Sequence, residues 1–227
     1  MAHRTRLKIC GVTNAADARL VTGSGADYCG ILVNVGFSER SLSLPEAREV
    51  ASASAAPVVV LVCNPQMDEL QEIVREISPY AVQLLGVETP EFIGLAKPRL
   101  PCQIWKTLHL PSAPGQAPPE EYAEAGVDAF LIDSSDSSEG FLRLGGTGKV
   151  ADWEQAASMI RQISKPVFLA GGINADNVAA ALFKVRPYGI DLCSGVESSK
   201  GKKDPEKMRR LAETFQAAAK KIEEGDQ

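Results

Sequence analysis

Val127-Asp128-Ala129-Phe130-Leu131-Ile132-Asp133 is an apolar run that delivers a carboxylate to its C-terminal tip, and the glycine-rich polar stretch Gly145-Gly146-Thr147-Gly148-Lys149 follows it. Leu7-Lys8-Ile9-Cys10-Gly11 repeats the layout with a thiol in place of the carboxylate. Leu169-Ala170-Gly171-Gly172 and Asp191-Leu192-Cys193-Ser194-Gly195 add two more junctions of the same kind. Reactive or small residues at successive strand exits are the pattern of an active site on one face of a β/α barrel, where catalytic groups stand at the C-terminal ends of the strands.

Moving outward, eight β-type runs alternate with helix-type segments: Leu7–Cys10, Tyr28–Val33, Val58–Cys63, Ala81–Leu84, Gln103–Thr107, Ala129–Asp133, Val167–Ala170 and Gly189–Cys193. Several are apolar without alternation, as strands covered on both faces must be. The alternation predicts an α/β chain forming a single (β/α)8 TIM barrel over residues 1–227, slightly short for that fold. Helix starts carry their own punctuation. Ser43-Leu44-Pro45-Glu46 reads as a capping box, and Asn64-Pro65, Thr89-Pro90 and Asp204-Pro205 each set a capping side chain before a proline. The last helix, about Pro205 to Glu223, shows Met208, Leu211, Phe215, Ala218 and Ile222 at helical spacing. Pro111 to Pro119 reads as a surface loop rather than a linker, because strand signals resume after it.

Apolar residues make up 44% and charged residues 23% of the 227, an ordinary balance with enough apolar material for a core. A net charge of −5 gives no basic footprint for nucleic acid, and no apolar run reaches membrane-spanning length. Cys10, Cys29, Cys63, Cys102 and Cys193 have no framework spacing, which suits reduced thiols in a cytoplasmic protein.

Cys10 is read two ways: as a small buried hydrophobe, or as a strand-tip thiol poised by the helix that begins near Thr13. Asp133 either caps the following loop or serves as an acid, and the stretch Ser134 to Leu144 is long for a barrel connection, as a lid would be. Asp191 shares that ambiguity. Gly171-Gly172 and Ser194-Gly195 would expose backbone N–H groups at adjacent positions, as a phosphate site needs, although a tight turn also selects glycine. Arg40, in a loop, suits a substrate carboxylate if it points over the mouth. Cys193 reads as packing, and neither His3 nor His109 reads as catalytic, His109 being placed in a loop beyond Trp105-Lys106. No His/Cys/carboxylate cluster has metal-ligand spacing.

Lys8-Ile-Cys-Gly-Val-Thr-Asn14, Gly25-Ala-Asp27, Val82-Gln83-Leu84, Gly145-Gly-Thr-Gly-Lys149 with Asp152-Trp153, Ala170-Gly-Gly-Ile-Asn174 and Asp191…Ser194-Gly-Val-Glu197…Gly201-Lys-Lys-Asp204 resemble, in order, the phosphoribosylanthranilate isomerases of tryptophan biosynthesis. The resemblance implies a cofactor-free Amadori rearrangement on a (β/α)8 barrel. Asp133 then matches the general acid that opens the ribose ring, and Cys10 the general base that removes the C2 proton. Arg40 matches the residue that holds the anthranilate carboxylate, and Gln83 and Asp191 match substrate contacts. Gly171, Gly172, Ser194 and Gly195 match the phosphate end. The implied partner is a phosphorylated sugar, with no nucleic acid or membrane, in a monomer or homodimer.

The chain also departs from the pattern. Gln83-Leu84-Leu85-Gly86 stands where the family usually has Gln-Leu-His-Gly, the loop Asn34 to Arg40 is altered, and Ala151 replaces an aromatic. These changes motivate one alternative, a paralogous aldose–ketose isomerase acting on another phosphosugar amine. A second alternative, a catalytically silent barrel that binds a phosphorylated metabolite, is opposed by the retention of both Cys10 and Asp133, which a binding module does not need.

Overall fold

Strands that are apolar on both faces have to be covered on both, and here a closed ring does it. The computed structural model describes residues 4–136, 143–144 and 152–225. Eight strands form the ring: β1 (Arg6–Ile9), β2 (Tyr28–Val33), β3 (Val58–Val62), β4 (Ala81–Leu84), β5 (Gln103–Leu110), β6 (Ala129–Asp136), β7 (Val167–Leu169) and β8 (Gly189–Leu192). Each is parallel to the next, and β8 returns to β1 with Leu7 opposite Ile190 and Ile9 opposite Leu192, so no edge is left open. Helices α1 (Ala15–Gly23), α2 (Leu44–Ser52), α3 (Met67–Ile77), α4 (Pro90–Ala96), α5 (Pro119–Glu124), α6 (Trp153–Ile160), α7 (Val178–Val185) and α8 (Pro205–Glu223) lie between and after the strands.

Two apolar layers result. One lies between strands and helices, where Ile9, Ile31, Val60, Val82, Ile104, Ile132, Leu169 and Ile190 meet buried helix residues such as Leu70, Leu182 and Leu211. The other plugs the ring itself, with Tyr28, Leu61, Trp105, Leu131 and Phe168 packed together and the Trp105 and Phe168 rings stacked 4.9 Å apart. Side chains alternate along a strand. On β5, Trp105 lies in the plug while Thr107 and His109, two and four residues on, line the cavity above it. On β6, Ala129 and Leu131 lie in the plug and Asp133 lines that cavity.

Sequence punctuation is realised at most helix starts. Ser43 and Glu46 form the capping box, Thr89 Oγ1 accepts from Phe92 N, and Asp204 accepts from Glu206 N and Lys207 N. Asn64 does not cap. Helix α3 starts at Met67 behind Gln66, and Asn64, at φ +47°, instead accepts from Val87 N through Oδ1 and donates its backbone N–H to Glu88. It ties the turn after β3 to the turn after β4.

Two strands run further than their apolar cores suggest. β5 continues to Leu110, which places His109 in the barrel wall rather than in a loop. β6 continues to Asp136 and pairs antiparallel with Arg143–Leu144, so Asp133 stands inside the strand and not at its tip. The rest of the expected lid, the Gly145 to Lys149 stretch and Ala151 lie outside the described residues.

Candidate active site

At the C-terminal end of the ring a cavity of about 630 Å3 opens above the apolar plug. Cys10, Arg40, Gln83, Asp133, Gly171, Gly172, Asp191 and Ser194 all line it. Gly195 does not line it. A Cβ there would fall 2.1 Å from the Ile173 carbonyl oxygen, so the glycine lets the turn after β8 press against the turn after β7. Gly171 and Gly172 have φ of +90° and +63°, and Asn177 fixes their turn by donating Nδ2–H to the Gly172 carbonyl at 3.0 Å. Two glycine-permitted turns thus bring backbone to one end of the cavity.

Cys10 follows β1 directly, its N–H bonded to Leu192 O at 2.7 Å. Gly30 on β2 clears room for it, since a Cβ there would lie 3.1 Å from Cys10 Sγ and 3.2 Å from Lys8 Nζ. The Cys193 thiol donates to the Cys10 sulfur and holds the Cys10 thiol below its ordinary pKa, against burial and with help from the Lys8 and Lys203 ammonium groups. The same contact, with burial, pushes Cys193 well up. Of the two thiols, Cys10 is the one whose pKa is held down. Cys193, read from the sequence as packing, is its hydrogen-bond donor and also lines the cavity.

Two buried lysines that the sequence reading missed frame this thiol. Lys8, fully buried, pairs with Asp191 Oδ1 at 2.9 Å. Burial alone would lower its pKa, but Asp191 and the Cys10 sulfur outweigh that and hold it charged. Burial pushes the Asp191 carboxyl up, with Lys8 opposing. Lys203 Nζ donates to Cys10 O at 2.6 Å and Cys193 O at 3.3 Å, and pairs with Glu197 Oε1 at 3.1 Å. Their signal in the sequence is a lysine inside an apolar strand and a lysine before an N-cap, which is faint because solvated lysines look the same.

Arg40 reaches the cavity with one edge of its fork already held. Its Nε and Nη2 donate to Glu197 Oε1 and Oε2 at 2.8 and 2.6 Å, which keeps the guanidinium pKa raised. Burial would lift the Glu197 carboxyl, yet Arg40 and Lys203 bring it below its ordinary value. The Nη1–Nη2 edge remains for a ligand carboxylate.

On the far side, Gln83 donates Nε2–H to Thr107 Oγ1 at 3.0 Å. Behind it the buried pair Lys106–Glu88 (3.1 Å) braces the strand ends, with Glu88 also accepting from Asn64 N and Gly86 N. Lys106 Nζ donates to Gly86 O at 2.7 Å. His109 Nε2 meets the Leu85 carbonyl at 2.9 Å, and burial pushes the imidazole pKa down. Asp133 is the register partner of His109 on the neighbouring strand. Among the described residues, no three His, Cys, Asp or Glu side chains gather to hold a metal ion.

A cysteine whose thiol pKa is held down and a carboxyl, lining one cavity with two glycine-bearing turns, suit proton transfer. Known proteins agree in kind. The N-(5'-phosphoribosyl)anthranilate isomerase of Methanocella arvoryzae is 39% identical over 212 residues, 92% of this chain and 97% of its own length. The crystal structure of mutually generated monomers of a dimeric phosphoribosylanthranilate isomerase from Thermotoga maritima superposes with a TM-score of 0.77 at 28% identity, covering 94% of this chain and 99% of that one. A phosphoribosylanthranilate isomerase in complex with reduced 1-(o-carboxyphenylamino)-1-deoxyribulose 5-phosphate gives 0.74 at 25% identity, covering 94% and 99%. The family model described as N-(5'phosphoribosyl)anthranilate (PRA) isomerase matches residues 7–214, and the chain belongs to that family.

Proposed function

We propose that the chain catalyses the Amadori rearrangement of N-(5'-phosphoribosyl)anthranilate to 1-(o-carboxyphenylamino)-1-deoxyribulose 5-phosphate, with Asp133 as acid and Cys10 as base. Asp133 gives its proton to the ring oxygen as the C1–O bond breaks and the amine nitrogen's electron pair forms C1=N. The Cys10 thiolate then removes the proton on C2, the pair left behind forms the C1–C2 double bond while the C1=N pair returns to nitrogen, and the resulting enolamine tautomerises to the ketone. Positioned proton transfer of this kind contributes about 10²–10⁴-fold per group.

Arg40 takes the anthranilate carboxylate on its Nη1–Nη2 edge, and Gln83 and Asp191 contact the sugar. The phosphate sits against the turns at Gly171, Gly172 and Ser194, with Gly195 shaping the second turn. The partner is a phosphorylated sugar, with at most a second copy of the chain. We place the enzyme in the cytoplasm; among the described residues no helix is long and apolar enough to cross a membrane.

The observation that carries the reading is Cys10, with its thiol pKa held down, lining the same cavity as Asp133. The purified protein should consume phosphoribosylanthranilate generated in place, seen as loss of its fluorescence. Cys10→Ala and Asp133→Asn should each lower turnover by about 10²–10⁴-fold while the protein stays folded. Wild-type activity no better than these variants refutes the reading. Leu85, on the cavity wall where the family usually carries histidine, favours one alternative, an aldose–ketose isomerase for another phosphosugar amine. Turnover of such an amine in preference to phosphoribosylanthranilate would establish it.

A further inference from the structure

His109 is the uppermost inward-facing residue of β5 and is 1% exposed. Its two ring nitrogens stand in different situations. Nε2 lies 2.9 Å from the Leu85 carbonyl oxygen, which can only accept, so Nε2 carries a proton. Burial keeps the ring neutral, and Nδ1 is therefore left as a bare acceptor. Nδ1 is buried and has no hydrogen-bond partner among the described residues. A buried acceptor without a donor is destabilising, and such a group at a cavity wall is accounted for by a donor that arrives with the ligand.

We infer that His109 contacts the substrate, its Nδ1 accepting a hydrogen bond from the amine N–H of a phosphorylated aminosugar. The inference rests on the proposed isomerase reading and goes beyond it by one residue. Register selects the amine over a hydroxyl. His109 is paired with Asp133, which addresses the ring oxygen on C1, and the amine is the other substituent of that carbon. The C2 hydroxyl is on the carbon whose proton goes to Cys10, and Cys10 stands four strands round the ring from His109. During ring opening the nitrogen pair moves into C1=N, the C1–O pair goes to the oxygen, and that oxygen takes the Asp133 proton. Positive charge develops on nitrogen, so the N–H to Nδ1 bond strengthens on the way to the transition state. No proton has to pass to the imidazole.

The chain has two histidines, so the imidazole nitrogens of 15N-histidine-labelled wild type give few signals. Saturation with reduced 1-(o-carboxyphenylamino)-1-deoxyribulose 5-phosphate, which keeps the secondary amine, should move the unprotonated Nδ1 signal of His109 in the direction of hydrogen bonding. A signal unmoved at saturation overturns the inference. Kinetics supply a second arm. His109→Gln keeps a donor near Nε2 for Leu85 and loses the acceptor at Nδ1, whereas His109→Asn keeps the acceptor and loses the tether. We expect Gln to lower kcat/KM on phosphoribosylanthranilate by about 10–100-fold, mostly in kcat, and Asn to retain more of it. Rescue by Gln and not by Asn would mean that the ring is only a brace for Leu85, and would also overturn the inference. If wild type neither binds the probe nor consumes phosphoribosylanthranilate, the isomerase reading itself falls, and this inference with it.

Discussion

Two thiols at the ends of adjacent strands are chemically alike in sequence and opposite in the fold. Cys10 and Cys193 follow Ile9 and Leu192, which are register partners. The hydrogen bond between them holds the Cys10 thiol down and pushes Cys193 up; Lys8 and Lys203 add to the first, while Lys203 and Arg40 oppose the second. A base must be deprotonated to act, so its contribution rises as pH climbs through the Cys10 pKa. Removing the Cys193 donor takes away the largest stabilisation of the thiolate, and the Cys10 pKa must rise. Cys193→Ala should therefore move the acid limb of the kcat/KM pH profile to higher pH, while Cys193→Ser, which keeps a donor, should leave it close to wild type. An unmoved limb in the alanine variant would show that Cys193 does not set the base.

At the scale of elements, the strand exits carry both the legible and the illegible parts of the site. The eight strands, the glycine turns and the Cys10 position could be read because each depends on local chemistry: an apolar run, a φ only glycine adopts freely, a titratable residue at a boundary. Asp133 could be read as the end of an apolar run, while the strand itself continues past it to Asp136. His109 could not, because the end of β5 is set by pairing with β6 (His109 opposite Asp133, Leu110 opposite Ser134), which local pattern does not reveal. Asn64 looked like a cap for the same reason, its partners lying on another turn. Glu197 and Lys203 meet Arg40 and Cys10 across long stretches of chain. The turn after β8 offers a test at this level. Gly195→Ala would set a Cβ 2.1 Å from Ile173 O, so the backbone has to move. We expect about 1–3 kcal/mol lower stability by urea unfolding and a raised KM for the phosphorylated substrate. Unchanged values in both would mean that the two turns do not need this close approach.

A barrel has to join its first strand to its last, and here the seam is polar as well as paired. Lys8 to Asp191, Lys203 to the Cys10 carbonyl and Arg40 to Glu197 link the two ends of the chain across that seam, all beneath or beside the cavity. The fold thus uses groups of the site to close itself, and loss of one member leaves a buried charge without its counterpart. Asp191→Ala strands the fully buried Lys8 and should cost about 3–5 kcal/mol in urea unfolding. Lys8→Met, of similar length and apolar, should also destabilise, since Asp191 then has to stay neutral in its buried place. Combined, the two remove both charges together, and an apolar pair tolerates burial. The double variant should therefore be less destabilised than the sum of the singles by about 0.5–3 kcal/mol, with the urea slope unchanged. Additivity to within about 0.3–0.5 kcal/mol would show that the Lys8–Asp191 contact contributes nothing to closure.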